Sequence, residues 1–171
     1  GGTDAGARAA HSHTASLATD TAVWDGMIRQ AGAIPTESLE DTLDVLTTLV
    51  HSPPCSGKGA ALVAMTGGQS VAITDQFQRA GFDVPELTQD SYDVLGEFFV
   101  TIGGSYRNPF DAASTIRSET ENLEKILEVL AEDDNIDAGV AIELTTAGFD
   151  KDPERLDAQL SLLAEYREKT N

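Results

Sequence analysis

The chain has 171 residues, of which 29 are Asp or Glu and 11 are Lys or Arg, so its formal net charge at pH 7 is −18. With 40% hydrophobic and 23% charged residues, its composition is that of an ordinary globular protein rather than a disordered one. A polyanion of this kind repels phosphate backbones and anionic lipid, which argues against a nucleic-acid partner and against a membrane partner.

The first fifty residues are predicted to form a polar arm followed by two helices. Residues 1–20 show neither helical nor strand periodicity and are predicted to be a loop or a loosely held arm. A helical pattern follows from about Thr21 to Ala31, and Gly32 is its expected stop. Thr36 is predicted to cap the second helix. The inward positions of that helix are predicted to be Leu39, Leu43, Leu46, and Leu49 or Val50.

A linker is predicted where prolines and glycines concentrate. The nine residues from His51 to Gly59 contain two prolines and two glycines, which cannot lie inside one regular element. We therefore expect a first domain at residues 1–50, a linker at 51–58 and a second domain at 59–171.

The second domain begins with a strand and a helix. The apolar run from Ala60 to Met65 predicts a buried parallel strand. Gly67-Gly68 breaks this run, and a helix that ends at Gly81 is predicted to follow. Its inward positions are expected to be Val71, Ile73 or Thr74, Phe77 and Ala80. Residues 82–87 are predicted to be extended, and Thr88 to cap a helix that runs to about Phe99.

Further helices and a second strand complete the pattern. Ser118 with Glu121 predicts a capping box for a helix whose inward side carries Leu123, Ile126, Leu127 and Leu130. Residues 138–144 predict a second buried strand. Asp152-Pro153 is expected to start the last helix, with a stripe of Leu156, Leu160 and Leu163. This alternation predicts an α/β fold with a parallel sheet covered on both faces, and we expect the chain to be an excerpt that lacks the last strand.

Two segments could carry chemistry. His11 and His13 lie in the polar arm, where one imidazole could be a nucleophile or a proton carrier, although two exposed histidines without a function are the simpler interpretation. Residues Gly67, Gly68, Gln69 and Ser70 lie between a predicted strand and a predicted helix, where free N–H groups and the positive end of the helix dipole favour an anion. Tight packing between strand and helix would explain the same glycines.

The remaining candidates are weaker. Cys55 is expected to be an inert surface thiol, and as the only cysteine it excludes an internal disulfide and a cysteine-based zinc site. A reducing, cytoplasmic setting is therefore expected. His51 is expected to interact with the preceding helix end, Asp75 to lie on the surface, and Asp133-Asp134 to form a solvated turn. No metal site is predicted.

The acid excess has two interpretations. A strongly hydrated carboxylate surface with only four lysines suits a saline habitat, whereas an acidic solvated face is common in proteins of any habitat.

The order of these segments resembles the NDP-forming acyl-CoA synthetases, which are relatives of succinyl-CoA synthetase. The stretch G-A-R-A-A-H-S-H-T-A-S-L-A, residues 6–18, resembles the histidine segment of that family. The runs Q-A-G-A-I at 30–34, A-G-F at 80–82, V-P-E-L at 84–87 and N-P-F-D at 108–111 match further family stretches in the same order. The resemblance covers nearly the whole chain.

The resemblance implies a function and a fold. The family interconverts acyl-CoA, NDP and phosphate with free acid, NTP and CoA, and a phosphohistidine carries the phosphoryl group. His13 matches the phosphorylated residue, and Gly67, Gly68, Gln69 and Ser70 match a helix start that binds the phosphoryl group. The implied fold is a flavodoxin-like α/β/α domain preceded by the helical end of a neighbouring α/β domain.

The resemblance also implies cofactors and partners. CoA, and ATP or ADP with Mg²⁺, are expected in the full enzyme, and no cofactor is expected bound to this chain alone. The expected partners are CoA-binding and ATP-grasp domains of the same enzyme and a small-molecule acyl substrate. Three positions depart from the family pattern: Ala15 and Thr19 replace glycines, and Met65 replaces an asparagine. A non-catalytic interaction or regulatory module therefore stays as an alternative, and so does a phosphate- or FMN-binding domain that uses the Gly67-Gly68 loop alone.

Overall fold

The computed structural model describes residues 3–14, 20–119, 121–144 and 153–170. The chain divides into two units, Gly1–Ser52 and Pro53–Asn171, with the division inside the predicted linker. The helices described are α1 (Asp4–Thr14), α2 (Thr21–Gln30), α3 (Leu39–His51), α4 (Gly67–Arg79), α5 (Gln89–Phe98), α6 (Ala113–Ser118), α7 (Glu121–Ala131) and α8 (Pro153–Thr170). The strands described are β1 (Ala60–Ala64), β2 (Phe110–Asp111) and β3 (Gly139–Ile142).

The first unit begins with a helix where a loop was expected. Helix α1 occupies most of the segment predicted to be a polar arm, so that prediction is wrong for Asp4–Thr14. Alanine has the highest helix propensity, and four of the eleven residues of α1 are alanines. The high helix propensity of these alanines therefore accounts for α1, whose sequence lacks the apolar periodicity that would have predicted a helix.

The helix ends of this unit follow local capping rules. Gly32 adopts a φ of 65° directly after the C-cap of α2, which confirms the expected helix stop. The predicted cap of α3 was wrong: Ser38, rather than Thr36, accepts a hydrogen bond from the N–H of Asp41, and the Asp41 side chain accepts one from the N–H of Ser38. This reciprocal capping box satisfies two donors, which a single threonine cap at Thr36 would not.

Helices α2 and α3 keep their apolar side chains exposed. The residues that are at least half exposed are Val23, Trp24, Met27, Leu39, Leu43, Leu46, Leu49 and Val50. The inward orientation predicted for α3 is therefore wrong within this structure. An amphipathic helix buries its stripe only when another layer covers it, and the described part of this unit contains only helices.

The second unit is built on a parallel sheet of order β2-β1-β3. Val63 pairs with Phe110 on one side and with Ile142 on the other, so β1 is the central strand. Every residue of β1 is buried, as the apolar run predicted. A fully buried central strand needs a layer on each face of the sheet.

Helices supply both layers. Ala61, Val63 and Met65 face a core that includes Leu95 of α5 and the stripe of α7. The alternate residues, including Leu62, face the opposite side, which α4 covers. The stripe of α7 is buried as predicted, at Leu123, Ile126, Leu127 and Leu130. The predicted α/β/α arrangement with a parallel sheet is therefore confirmed.

Several local predictions are corrected in this unit. Val71, which is 65% exposed, and Ala80 do not face inward as predicted, whereas Ile73, Thr74 and Phe77 do, together with Ser70. Strand β3 is half-buried rather than buried, since β1 lies on one of its sides and no other described strand pairs with it. On α8, Leu160 is 48% exposed whereas Leu163 packs against the core.

Two short elements were not predicted. Strand β2 has only two residues, and α6 has six, lengths at which periodicity carries little signal. Ser118 is the last residue of α6 and not an N-cap, because the backbone leaves the helical region at Glu119. Pro153 begins α8 as predicted. Asp152, its predicted cap, lies outside the described residues.

Candidate functional site

The candidate site lies where β1 ends and α4 begins. Thr66 is the N-cap of α4 in an extended conformation, with φ −153° and ψ 152°. Its hydroxyl oxygen accepts a hydrogen bond from the N–H of Gln69 at 3.3 Å and donates to the Gln69 side-chain oxygen at 2.7 Å. This reciprocal bonding fixes the first turn of the helix at the carboxyl edge of the parallel sheet, where open α/β sheets bind ligands.

The first turn of α4 offers backbone donors to solvent. Gly67 and Gly68 are exposed, and their N–H groups donate to no described residue. A Cβ built at Gly68 would meet nothing within 4 Å. The glycine at this position therefore serves no packing need in the described structure, and it leaves the helix terminus open to close approach by a ligand.

The four predicted ligand residues are not equivalent. Gln69 is exposed but its side chain is held by Thr66. Ser70 is buried, and its hydroxyl donates to the carbonyl oxygen of Gly67 at 2.8 Å. For Ser70 to bind phosphate through its hydroxyl, this bond would have to open, so its role stays a prediction. Gly67 and Gly68 present the most accessible donors.

Two carboxylates that the sequence analysis did not single out flank this helix terminus. A Cβ at Gly67 would lie 3.3 Å from the Asp111 Oδ2. Glu143 accepts a hydrogen bond through Oε2 from the N–H of Met65 at 3.3 Å. Both acids stand at the carboxyl ends of strands that neighbour β1. The parallel pairing itself was the signal that could have found them, since such ends meet at one edge.

These carboxylates limit what the site can bind. A helix N-terminus attracts an anion by about 0.3–1 kcal/mol at an exposed position. A single carboxylate about 5 Å away repels it by roughly 1–3 kcal/mol, depending on the effective dielectric constant. The two effects are comparable, so the terminus of α4 alone is a weak site for a free anion, and a tight anion site needs donors or positive charge from elsewhere.

The histidine segment lies in the first unit. His11 is exposed on α1, and Ser12 donates from its hydroxyl to the carbonyl oxygen of Ala9 at 2.8 Å. Position 13 also belongs to α1, whereas the side chain of His13 lies outside the described part. Residues two apart on a helix do not share a face, so α1 gives no geometry for a metal site made by this pair. Ala15 and Thr19 are outside the described residues.

The other candidate residues have structural surroundings. Cys55 is exposed, His51 lies in the last turn of α3, and Asp75 pairs with Arg79 at 3.6 Å on the surface, as expected. Asp133 was expected in a solvated turn but is only 3% exposed, because it accepts hydrogen bonds from the backbone and hydroxyl of Thr88 and from the N–H of Asn135. Its role is to hold the start of α5.

The described residues contain neither a metal-ion cluster nor a membrane-spanning helix. No three His, Cys, Asp or Glu side chains in them are grouped so that they could hold a metal ion. None of the described helices combines the length and apolar character that a bilayer span requires.

A family model matches the segment that contains the histidines. Residues 1–49 match the model described as "Succinyl-CoA ligase like flavodoxin domain". This range contains both His11 and His13 and ends just before the predicted linker.

Curated proteins match over more of the chain. The alpha subunit of an ADP-forming acetate–CoA ligase II from Pyrococcus furiosus is 25% identical over 142 residues, which are 83% of this chain and 30% of that protein. An ADP-forming acetate–CoA ligase I from Archaeoglobus fulgidus is 29% identical over 150 residues, or 88% of this chain and 21% of that protein. A 4-hydroxybutyrate–CoA ligase from Nitrosopumilus maritimus is 29% identical over 62% of this chain and 15% of that protein. The chain thus spans less than a third of each of these relatives.

A solved structure supports the fold. The dinucleotide-forming acetyl-coenzyme A synthetase 1 of Candidatus Korarchaeum cryptofilum, in complex with phosphate and ADP, matches with a TM-score of 0.72 and 24% identity. The match covers 96% of this chain and 34% of that one. This match shows the fold, and the sequence matches confirm the resemblance that the motifs indicated.

Proposed function

We propose, on the premise that this chain is a relative of the NDP-forming acyl-CoA synthetases, that it is part of such an enzyme. The reaction interconverts acyl-CoA, NDP and phosphate with free acid, NTP and CoA. The observation that carries the proposal is the succinyl-CoA ligase family match over residues 1–49, which include the histidine segment. The relatives named above act on acetate and 4-hydroxybutyrate, so the acyl group of this protein stays open.

His13 is the proposed phosphoryl carrier. Phosphate displaces CoA from acyl-CoA to give an acyl phosphate. A lone pair on one imidazole nitrogen then attacks its phosphorus, and a P–N bond forms as the bond from phosphorus to the acyl oxygen breaks and the free acid leaves. In the second half-reaction the terminal oxygen of NDP displaces the imidazole and NTP forms. Histidine suits both steps because its neutral form is a nucleophile near pH 7 and it is also a good leaving group.

The N-terminus of α4 is the proposed docking point for the phosphoryl group. Its support is the pair of N–H groups at Gly67 and Gly68, which donate to no described residue, with Gln69 and Ser70 in the same turn. Because Asp111 opposes an anion there, this terminus would act together with donors from other domains. The proposal includes CoA-binding and ATP-grasp domains of the same enzyme as partners. It includes CoA, and ATP or ADP with Mg²⁺, as ligands of the full enzyme.

The test compares two histidines of one helix in the full-length protein. His13→Ala should abolish NTP formation, by at least about 1,000-fold, since no other group on the segment forms the P–N bond. His11→Ala is the matched control and should keep activity within about twofold, since His11 is exposed. Both variants should melt within about 1 °C of the wild type. Near-normal NTP formation by the His13 variant would refute the proposal.

The alternative is a non-catalytic module of the same ancestry. Ala15 and Thr19, which replace glycines, favour it because alanine and threonine restrict the backbone of a segment that must move. It predicts nucleotide binding by the full-length protein without any NTP formation from acyl-CoA. A domain that binds phosphate or FMN through the Gly67-Gly68 loop alone would instead give saturable binding of either ligand in a titration.

A further inference from the structure

The second half of the linker is bound to a turn of the second unit. Ser56 donates to the carbonyl oxygen of Asp137 from its hydroxyl at 2.7 Å and from its N–H at 3.2 Å. The N–H of Gly57 donates to the same oxygen at 3.2 Å. The N–H of Gly59 donates to the Asp137 Oδ1 at 2.7 Å. We call this group of Ser56, Gly57, Gly59 and Asp137 the linker latch.

The glycines of the latch are required by close approach. A Cβ at Gly57 would lie 1.9 Å from the Asp137 Oδ2, closer than any real contact. A Cβ at Gly59 would lie 2.2 Å from the carbonyl oxygen of Asn135. Both glycines, which the sequence suggested only as helix and strand breakers, therefore allow the linker backbone to lie against the turn at Asn135–Asp137.

We propose that Asp137, through its backbone carbonyl oxygen for Ser56 and Gly57 and its carboxylate for Gly59, fixes the linker and thereby limits the reach of the first unit. Helix α3 ends at His51 and the latch begins at Ser56, so only four residues, Ser52–Cys55, connect the two fixed points. Two of the four are prolines, which restrict the backbone further. Such a tether reaches at most about 14 Å when fully extended.

Opening the latch would lengthen the tether. The next fixed point along the chain is the carbonyl oxygen of Lys58, which accepts a hydrogen bond from the N–H of Asp83 at 2.8 Å. Six residues, 52–57, would then be free, with a reach of about 21 Å. The volume that the first unit can reach grows with the cube of the tether length, here by a factor of about three. The effective concentration of one unit at the other falls by the same factor.

The catalytic consequence rests on the proposed function. If the phosphorylated histidine of the first unit must meet the N-terminus of α4 in the second unit, the latch raises the frequency of that encounter. Opening it should slow NTP formation about threefold without changing the chemistry at the imidazole. The tether itself can be measured without any activity.

Four variants of the full-length protein separate the latch from general stability. Gly57→Ala forces either the linker or the Asp137 carboxylate to move. Asp137→Ala removes the acceptor of the Gly59 N–H, and Asp137→Asn keeps an oxygen in that place. Gly96→Ala is the control glycine, because a Cβ there meets only ordinary contacts, the nearest being the Tyr106 hydroxyl oxygen at 3.6 Å.

Hydrogen exchange of the peptide spanning residues 52–60 is the first readout. Gly57→Ala should speed exchange of the Ser56 and Gly57 amides about tenfold. Asp137→Ala should speed exchange of the Gly59 amide only, because the backbone carbonyl that holds Ser56 and Gly57 remains, while Asp137→Asn and Gly96→Ala should match the wild type. Spin labels at the exposed positions Glu40 and Gln78, in a Cys55→Ser background, should show a broader distance distribution in Gly57→Ala and not in the other three variants. Unchanged exchange of Ser56 and Gly57 in Gly57→Ala, or faster exchange with an unchanged distance distribution, would overturn the proposal. Both readouts are independent of His13 phosphorylation, so failure of the proposed function would show separately.

Discussion

At the scale of one residue, Gly68 is a position where a substitution should weaken ligand binding without weakening the fold. A methyl group there meets no neighbour, and alanine within a helix reduces the entropy of the unfolded chain. Gly68→Ala should therefore leave the free energy of unfolding unchanged or raise it by up to about 1 kcal/mol. The same methyl group stands where a phosphoryl group would approach the backbone, so NTP formation by the full-length enzyme should fall about tenfold.

The control for this prediction is Gly26→Ala on α2, which also meets nothing within 4 Å. It should stabilise its helix similarly and keep activity. Thermal melts and initial rates of both variants give the comparison. Equal activity of the two variants would mean that no ligand approaches the backbone at Gly68.

Asp133 makes stability depend on pH. Burial raises the pKa of this carboxyl, but hydrogen bonds from Ser91, from the backbone of Thr88 and Asn135 and from the Thr88 hydroxyl outweigh it and lower the pKa below its usual value of 3.8. A lowered pKa in the folded state means that the stabilisation is complete above the unfolded pKa. It is lost as the pH falls through the folded pKa.

Asp133→Asn should accordingly lower the free energy of unfolding at pH 7 by about 1–3 kcal/mol, because an amide nitrogen cannot accept from Thr88. The difference from the wild type should shrink as the pH falls below about 4. Denaturant unfolding at several pH values measures it, with the exposed Asp134→Asn as the control. A difference that stays constant down to pH 2 would contradict this assignment.

At the scale of the element, Asn108 completes the sheet where β2 is too short. Its side-chain oxygen accepts from the N–H of Leu62 at 3.0 Å, and its amide nitrogen donates to the carbonyl oxygens of Ala60 and Pro85 at 2.9 and 2.8 Å. The side chain thus satisfies the buried edge of β1 beyond the two residues of β2. Backbone groups left unpaired in such a place are costly.

Asn108→Ala should therefore destabilise the second unit by about 3 kcal/mol, because it leaves buried backbone groups of β1 without partners. Asn135→Ala, which removes one exposed hydrogen bond to the carbonyl oxygen of Glu86, is the matched control and should cost under about 1 kcal/mol. Urea unfolding of both variants gives the values. Equal destabilisation by both substitutions would rule out this role for Asn108.

The elements that could be predicted from the sequence were those with a strong period or a clear cap. Strand β1, the stripe of α7 and the stop at Gly32 followed from such signals. The helix α1 could not be seen in a segment without periodicity, and β2, with two residues that pair with β1, is too short to give a pattern. For the site, the exposed N–H groups were predictable from strand, glycines and helix, whereas Asp111 and Glu143 required the strand order.

At the scale of the whole molecule, charge dominates. The net charge is −18, and the ion pair Asp75–Arg79 is exposed and lies i,i+4 on one helix. Like charges in excess repel one another in the folded state, and salt screens that repulsion. The melting temperature should therefore rise between low and molar salt. If the melting temperature does not rise across the salt series, the interpretation of a saline habitat is wrong, and the acidic solvated face remains.

The central claim is that His13 carries a phosphoryl group, and phosphopeptide mass spectrometry tests it most directly. The full-length protein is incubated with ATP and Mg²⁺, and digested at alkaline pH because phosphohistidine is labile in acid. We predict phosphate on the peptide that contains His11 and His13, located to His13. An unmodified peptide from a protein that demonstrably binds the nucleotide would contradict the account and favour the non-catalytic module.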